Sequence, residues 1–337
     1  MTQTRFAEIG DLALRCGVVL PAVRLAYSSY GRLAADGRNA VLVTHGYTSS
    51  HRFIEDGGWG SLVGPGAAID TERWFVVSSN MLGSSYGSTA PASTDPASGR
   101  PYGPDFPDIS LSDIVGAQRR LLELLGVREL VAVVGPSYGG FQAFTWGVEH
   151  PGFVRGLVPV ESAPRAQAPF DDGALLRRLA GDPNWNGGHY YGSGGILATM
   201  TTLREETLRR YGVEQGLRAR LGDDEAAVRC EITRQARQWA QAFDAHSLLV
   251  LGRAMNRYDL TAELGRIRAR VLYVLSRTDT LFPPALAHTV LPALAAAGVD
   301  ARYCEIDTPH GHFGSDLDVA QWAPVLGAFL AELVAQP

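Results

Sequence analysis

Residues 130–140 read LVAVVGPSYGG, and this stretch decides the fold. It begins as a short β-branched run, which predicts a buried strand, and a helical pattern follows at residues 139–150. The turn between them, GPSYG, has the form G-x-S-x-G. Small residues on both sides of the serine allow a sharp strand-to-helix turn, which lifts the hydroxyl to the carboxyl edge of the sheet. Ser137 is therefore predicted to be a nucleophile.

A second stretch, GSSYG at residues 83–87, has the same form, but no helical pattern follows it. A turn rich in glycine and serine can match the motif by chance, so the match needs its structural setting. The strand before Ser137 and the helix after it separate the two stretches.

The rest of the chain alternates short apolar runs with helical patterns. This alternation predicts an α/β fold, with a mostly parallel sheet covered by helices. Strands are predicted at residues 41–44, 74–78, 130–134, 271–275 and 301–306, and an antiparallel edge hairpin at 6–14 and 18–27. Further helices are predicted at residues 112–125, 284–297 and 319–334.

The sheet pattern stops between residues 163 and 264, where the composition becomes mostly helical. We interpret residues 1–164 and 265–337 as one core domain. Residues 165–264 are then a helical insertion that forms a lid over the sheet.

A serine becomes a strong nucleophile only when a base takes its proton. Asp279 follows the predicted strand at 271–275, where a carboxylate can orient a histidine, although an aspartate in a turn is also common. Two histidines, His310 and His312, follow the last predicted strand. We prefer His312 as the base, which leaves His310 as a pocket wall or a structural residue. A metal site on these two histidines would need a further ligand that the sequence does not place.

Acyl transfer also needs hydrogen-bond donors for the developing oxyanion. One predicted donor is the backbone N–H of Tyr138, directly after the nucleophile. The other is the backbone N–H of Tyr47, in the loop that follows the predicted strand at 41–44.

The composition excludes several classes of protein. Of 337 residues, 46% are hydrophobic, and the net charge of -5 gives no basic surface for nucleic acid or a membrane. All 30 basic residues are arginine, which excludes Schiff-base lysine chemistry and the P-loop. Three scattered cysteines, no basic leader and no long apolar run predict a cytoplasmic protein without disulfides.

Several stretches together resemble the homoserine O-acetyltransferase family, a branch of the α/β-hydrolases. They are NAVLVTHGYTSS at 39–50, NMLGSSYGSTAP at 80–91, DPNW at 182–185 and FDA at 243–245. The resemblance implies the α/β-hydrolase fold with an acid at Asp279, a base at His312 and a homodimer. It also implies a lid arginine for the substrate carboxylate, for which Arg177 is a candidate.

The sequence departs from the family pattern beside the base. Members of the family usually carry an aspartate there, which holds the amino group of homoserine, but this chain has Phe313. Proline and tyrosine also replace the usual glycine and methionine around the serine, at Pro136 and Tyr138. Some similar proteins are esterases, and the apolar Phe313 fits that subgroup.

The sequence therefore predicts a carboxylesterase that hydrolyses small acetate-type esters without a metal or redox cofactor. The alternative is an O-acetyltransferase that moves acetyl from acetyl-CoA to homoserine or another alcohol. A catalytically silent binding protein is a further alternative, against which the intact Ser137, Asp279 and His312 argue.

Overall fold

The computed structural model describes residues 3–55, 57–192, 194–222 and 224–335. Its main sheet has eight strands in the order β1-β2-β6-β3-β7-β8-β9-β10. Their bounds are Arg5–Ala13 (β1), Val19–Tyr30 (β2), Ala40–Thr44 (β3), Phe75–Ser79 (β6), Leu130–Pro136 (β7), Val154–Val160 (β8), Arg270–Ser276 (β9) and Ala301–Ile306 (β10). Two short strands, Val63–Gly64 (β4) and Ile69–Asp70 (β5), pair separately.

Eleven α-helices surround or extend this sheet within the described residues. They are Gly57–Ser61 (α1), Leu111–Leu124 (α2), Tyr138–Glu149 (α3), Asp172–Ala180 (α4), Leu197–Arg210 (α5), Val213–Leu221 (α6), Glu225–Ala240 (α7), Ala245–Asn256 (α8), Ala287–Ala296 (α9), Gly314–Leu317 (α10) and Val319–Ala335 (α11). Short 3-10 helices lie at Gly103–Asp105, Asn186–Gly188, Thr261–Arg266, Pro284–Leu286 and Gly311–Phe313.

The sheet is parallel from β6 to β10, and the first two strands pair antiparallel at one edge. The predicted α/β fold and edge hairpin are therefore confirmed. The chain goes from β3 to β6 on one side, and then crosses to β7 on the other side of β3. Ligands of open α/β sheets bind at such a switch point, beyond the carboxyl ends of the strands.

The central strands are buried on both faces because helices cover both. On β3, Leu42 packs into one core cluster, while Val41 and Val43 pack into the other. This alternation follows from the two-residue period of a strand. Helices α2, α3 and α9 cover the first face, and α1 and α11 cover the second.

Strand β8 is a central strand that the sequence analysis did not predict. Gly156 and Pro159 interrupt its apolar run, and proline is rare inside a sheet. Gly156 has a packing reason, since a Cβ there would lie 2.3 Å from Cδ1 of Leu333 on α11. The close approach of a helix to a strand is not visible in the strand's own hydrophobic pattern, so the sequence did not indicate β8.

Between β8 and β9 the chain forms helices α4 to α8. The two ends of this helical segment meet in an isolated β-bridge between Arg165 and Asp259. The division at residues 165–264 into core and lid stays a prediction.

No single helix in the described part of the chain is long and apolar enough to cross a membrane. One pair, Gly311–Leu317 with Val319–Ala335, passes by length and composition only when joined, and it is bent by 66°.

Candidate active site

Ser137 lies in the sharp turn between β7 and α3. Its backbone angles are φ 55° and ψ -119°, a strained conformation for a residue other than glycine. The neighbouring glycines are required by close packing. A Cβ on Gly135 would lie 2.1 Å from Oγ1 of Thr44, and one on Gly140 would lie 2.3 Å from Cβ of Ser162. The turn thus depends on close contacts with β3 and with the segment after β8, as well as on its own sequence.

His312 and Asp279 lie against each other, although 33 positions separate them. Nδ1 of His312 is 2.8 Å from Oδ2 of Asp279, and it donates because an ionised carboxylate can only accept. The other carboxylate oxygen accepts backbone N–H groups from Leu281 and Phe282, at 2.8 and 3.2 Å. Asp279 is therefore fixed by the loop after β9, and it fixes the imidazole in turn.

The pKa of His312 is set by opposing effects. Burial alone would lower this pKa, but the hydrogen bond and charge of Asp279, with the charge of Glu161, raise it above its ordinary value. The ring is also packed between aromatic side chains, 5.5 Å from Tyr211 and 5.7 Å from Phe282 between centroids. This environment suits a base that becomes an imidazolium during the reaction.

His310 lies apart from this contact, and its role as a pocket residue stays a prediction. Its Nε2 is 3.8 Å from a carboxylate oxygen of Asp318, and about a third of the side chain is exposed. It is not among the described residues that line the cavity beside Ser137. The 3-10 turn Gly311–Phe313 explains the difference, since it directs two histidines only two residues apart to different surroundings.

The side chains of Tyr47 and Tyr138 hold both residues in position. Their rings stack at 5.7 Å, and their hydroxyls donate to the carbonyls of Leu248 and Leu251 on α8. Tyr138 is also the first residue of α3, where backbone N–H groups have no partner within the helix. Both residues therefore connect the loops around Ser137 to the helical segment.

A cavity of about 550 Å³ opens beside Ser137. Phe313 lines it and packs edge-on against Tyr211 at 5.8 Å. The walls are nevertheless not apolar throughout, because charged side chains also contribute. The lining includes Ser137, Glu161, Arg204, His312, Phe313 and Asp316.

Arg204 is the cation of this cavity, and sequence reasoning missed it. Its Nη1 donates to Oγ1 of Thr48 at 3.0 Å, and its guanidinium lies 5.0 Å from the ring centre of Trp239. Its Nε is buried and has no hydrogen-bond partner among the described residues. Arg177, the candidate from the family resemblance, is exposed on α4 and is not among the lining residues.

Asp316 and Glu161 are two carboxylates that the sequence analysis also missed. Asp316, on α10, accepts the backbone N–H of Trp59 at 2.9 Å. Glu161 directly follows β8, which is the same relation to a strand end that drew attention to Asp279. That rule could have found Glu161 if the strand had been predicted. No group of three or more His, Cys, Asp or Glu suited to a metal ion occurs within the described ranges.

Comparison with known proteins agrees with this architecture. The sequence family described as the alpha/beta hydrolase fold matches residues 39–318. A homoserine O-acetyltransferase of Symbiobacterium thermophilum is 38% identical, over 100% of this chain and 97% of the relative. The chain belongs to the homoserine O-acyltransferase branch of the α/β-hydrolase family.

Other members of the family are named for the transfer of a different acyl group. A homoserine O-succinyltransferase of Methylibium petroleiphilum is 36% identical, over 96% of this chain and 92% of the relative. Among solved structures, an esterase superimposes with a TM-score of 0.86 and 28% identity, over 98% of this chain and 100% of that one.

The prediction of a carboxylesterase is therefore wrong. The relatives named as homoserine acyltransferases share more sequence with this chain than the esterase does, and they do so over nearly its whole length. The apolar ring of Phe313 is only one wall of the cavity, which Arg204 and Asp316 also line.

Proposed function

We propose that this protein transfers an acyl group, acetyl first among the candidates, from coenzyme A to the hydroxyl of homoserine. The observation that carries the proposal is the pair of opposite charges, Arg204 and Asp316, in the cavity that contains Ser137. Homoserine carries a carboxylate and an ammonium group, and both need partners when they leave water. The names of the relatives support the same acceptor.

Arg204 is suited to the carboxylate of the acceptor. Its buried Nε has no hydrogen-bond partner within the described part of the chain, and a guanidinium can bind a carboxylate with two parallel hydrogen bonds. It projects from α5 in the helical segment, so the acceptor would also link that segment to the sheet.

Asp316 is suited to the ammonium group. It lies three residues after Phe313, in the short helix that follows the base, and one of its oxygens already accepts the N–H of Trp59. A carboxylate has lone pairs for further donors, so an ammonium can still bind. In this proposal Asp316 replaces the aspartate that the family usually has at position 313.

The reaction proceeds in two halves. Ser137 Oγ attacks the thioester carbonyl as His312 takes its proton, the carbon–sulfur bond breaks, and His312 protonates the leaving thiolate. The homoserine hydroxyl then attacks the acyl-enzyme, His312 takes the hydroxyl proton, and the proton returns to Ser137. Backbone N–H groups of Tyr47 and Tyr138 stabilise the oxyanion in both halves, and Asp279 stabilises the imidazolium.

The direct test is acyl transfer by the purified protein with L-homoserine and either acetyl-CoA or succinyl-CoA. We expect O-acetylhomoserine and free CoA in equal amounts, measured by mass spectrometry and by thiol titration. Release of free acetate should be much slower. If neither donor gives an O-acylhomoserine while Ser137 is acylated, homoserine is not the acceptor.

The charge pair makes a sharper prediction about Arg204. Replacing it with glutamine should raise the KM for homoserine by about 10- to 100-fold, because hydrogen bonds to a charged group are lost. Propanolamine, which lacks the carboxylate, should be a poor acceptor for the native protein and should be little affected by the change. Initial rates with the two acceptors measure this difference.

Arg209→Gln is the matched control for this experiment. Arg209 lies on the same helix, is exposed, and pairs with Glu205 at 3.5 Å. Its replacement should leave the initial rates with both acceptors unchanged. An equal loss for homoserine and propanolamine in Arg204→Gln would mean that Arg204 does not bind the carboxylate.

The homodimer and the cytoplasmic location stay predictions from the sequence. Sedimentation of the purified protein tests the first, and cell fractionation tests the second.

A further inference from the structure

Glu161 is a buried carboxylate that the reaction scheme above does not use. It is 1% exposed and directly follows β8. Its backbone is held in a left-handed conformation, φ 46°, and its N–H donates to the carbonyl of Val274 in β9 at 2.8 Å. Such a backbone is costly for a residue with a side chain, so the surrounding structure must hold it in place.

Three donors fix the Glu161 side chain. The hydroxyl of Ser276, the last residue of β9, donates to it. Ser315 donates twice, from its backbone N–H at 2.9 Å and from its hydroxyl at 2.7 Å. Ser276 lies three residues before Asp279, and Ser315 lies three residues after His312. Glu161 therefore connects the two segments that carry the acid and the base.

We propose that Glu161 is a positioning residue for acyl transfer: it holds the His312 segment against the sheet and supplies a second negative charge that acts through His312. The proposal rests on the roles given above to Ser137, His312 and Asp279, and it does not depend on which alcohol accepts the acyl group. The ends of β8 and β9 are neighbours in a parallel sheet, so both can present a carboxylate towards the same histidine.

The charges around Glu161 determine how its replacement would change the pH dependence of activity. The pKa of Glu161 is raised to about 7 as the net of opposing effects: burial and the charge of Asp279 raise it, while the charge of His312 and the hydrogen bonds from Ser276 and Ser315 lower it. One further charged residue, Asp316, follows Ser315 directly on α10. The negative charge of Glu161 in turn raises the pKa of His312. Because the base must be neutral to accept a proton, removing this charge should extend activity to lower pH while reducing the maximal rate.

The test uses Glu161→Gln and measures the burst of para-nitrophenol from para-nitrophenyl acetate, which reports acylation of Ser137 without coenzyme A or homoserine. The burst rate is measured between about pH 5 and about pH 9. The maximal rate should fall about tenfold, and the acid limb of the pH–rate profile should move down by about half a pH unit. Glu161→Asp, which keeps the charge, should leave the acid limb in place.

Asp113→Asn is the matched control, because Asp113 is also buried and hydrogen-bonded but belongs to the capping box of α2, where it pairs with the N-cap Ser110. It should not move the acid limb. If Glu161→Gln does not fold, Ser276→Ala replaces it: loss of one donor favours the neutral carboxyl, so the limb should move the same way but less.

A fall in rate with an unmoved acid limb would overturn the proposal, because Glu161 would then be only structural. An unchanged rate and an unchanged limb would do the same. A native protein that acylates Ser137 and ignores homoserine would refute the proposed acceptor while leaving the role of Glu161 open to this measurement.

Discussion

Ser137→Ala should reduce acyl transfer by on the order of 10⁵-fold or more, because no covalent intermediate can form. The fold should survive the change. The turn is held by backbone groups that alanine keeps: the N–H of Ser137 donates to the carbonyl of Val160 at 2.8 Å, and its own carbonyl accepts from Gly140 and Ser162. Steady-state assays and thermal unfolding, measured together, check both statements.

Covalent labelling gives an independent test of the nucleophile. A fluorophosphonate should add its mass to the peptide that contains Ser137 and to no other serine peptide. Ser85→Ala is the matched control, since Ser85 is at the centre of the second G-x-S-x-G stretch and accepts a hydrogen bond from the backbone of Asp244 instead. Labelling at Ser85, or full activity in Ser137→Ala, would refute the assignment.

His312→Ala should be nearly as damaging as loss of the serine, with a decrease on the order of 10⁴-fold or more. Nucleophile, base and acid act as one unit, so removal of the base leaves the serine hydroxyl protonated and weak. In free energy this decrease corresponds to about 5.5 kcal/mol of transition-state stabilisation. Single-turnover acylation by acetyl-CoA measures it without interference from the acceptor.

His310→Ala is the matched control for the base. This ring is partly exposed, and its nearest carboxylate is 3.8 Å away on Asp318, an arrangement that contributes little to stability. We expect the acylation rate to fall less than about fivefold. If His310→Ala were the more damaging change, the contact between His312 and Asp279 would not be the catalytic one.

The pH dependence of the native protein should reflect the same contact. Since Asp279 and Glu161 together raise the pKa of His312 despite its burial, the acid limb of kcat/KM should lie above the ordinary histidine value of about 6.5.

Local features of the sequence determined the sharp turn at Ser137 and most of the sheet. The apolar run of β7, the glycines around Ser137 and the pattern of α3 are adjacent in the chain, so a short window contains their whole signal. The same holds for the strand that precedes Asp279 and for the loop that carries His312. Strand β8 was missed because the signal there is not local: Gly156 is explained by the approach of Leu333.

Only the tertiary structure decided what surrounds Ser137. Arg204 and Asp316 come from helices far apart in the chain, and no spacing rule predicts that both line one cavity. In the sequence, the position of Phe313 by itself favours ester hydrolysis. In the folded protein the character of a pocket depends on every side chain that reaches it, and helix packing brings a cation and a carboxylate to the same cavity from distant positions.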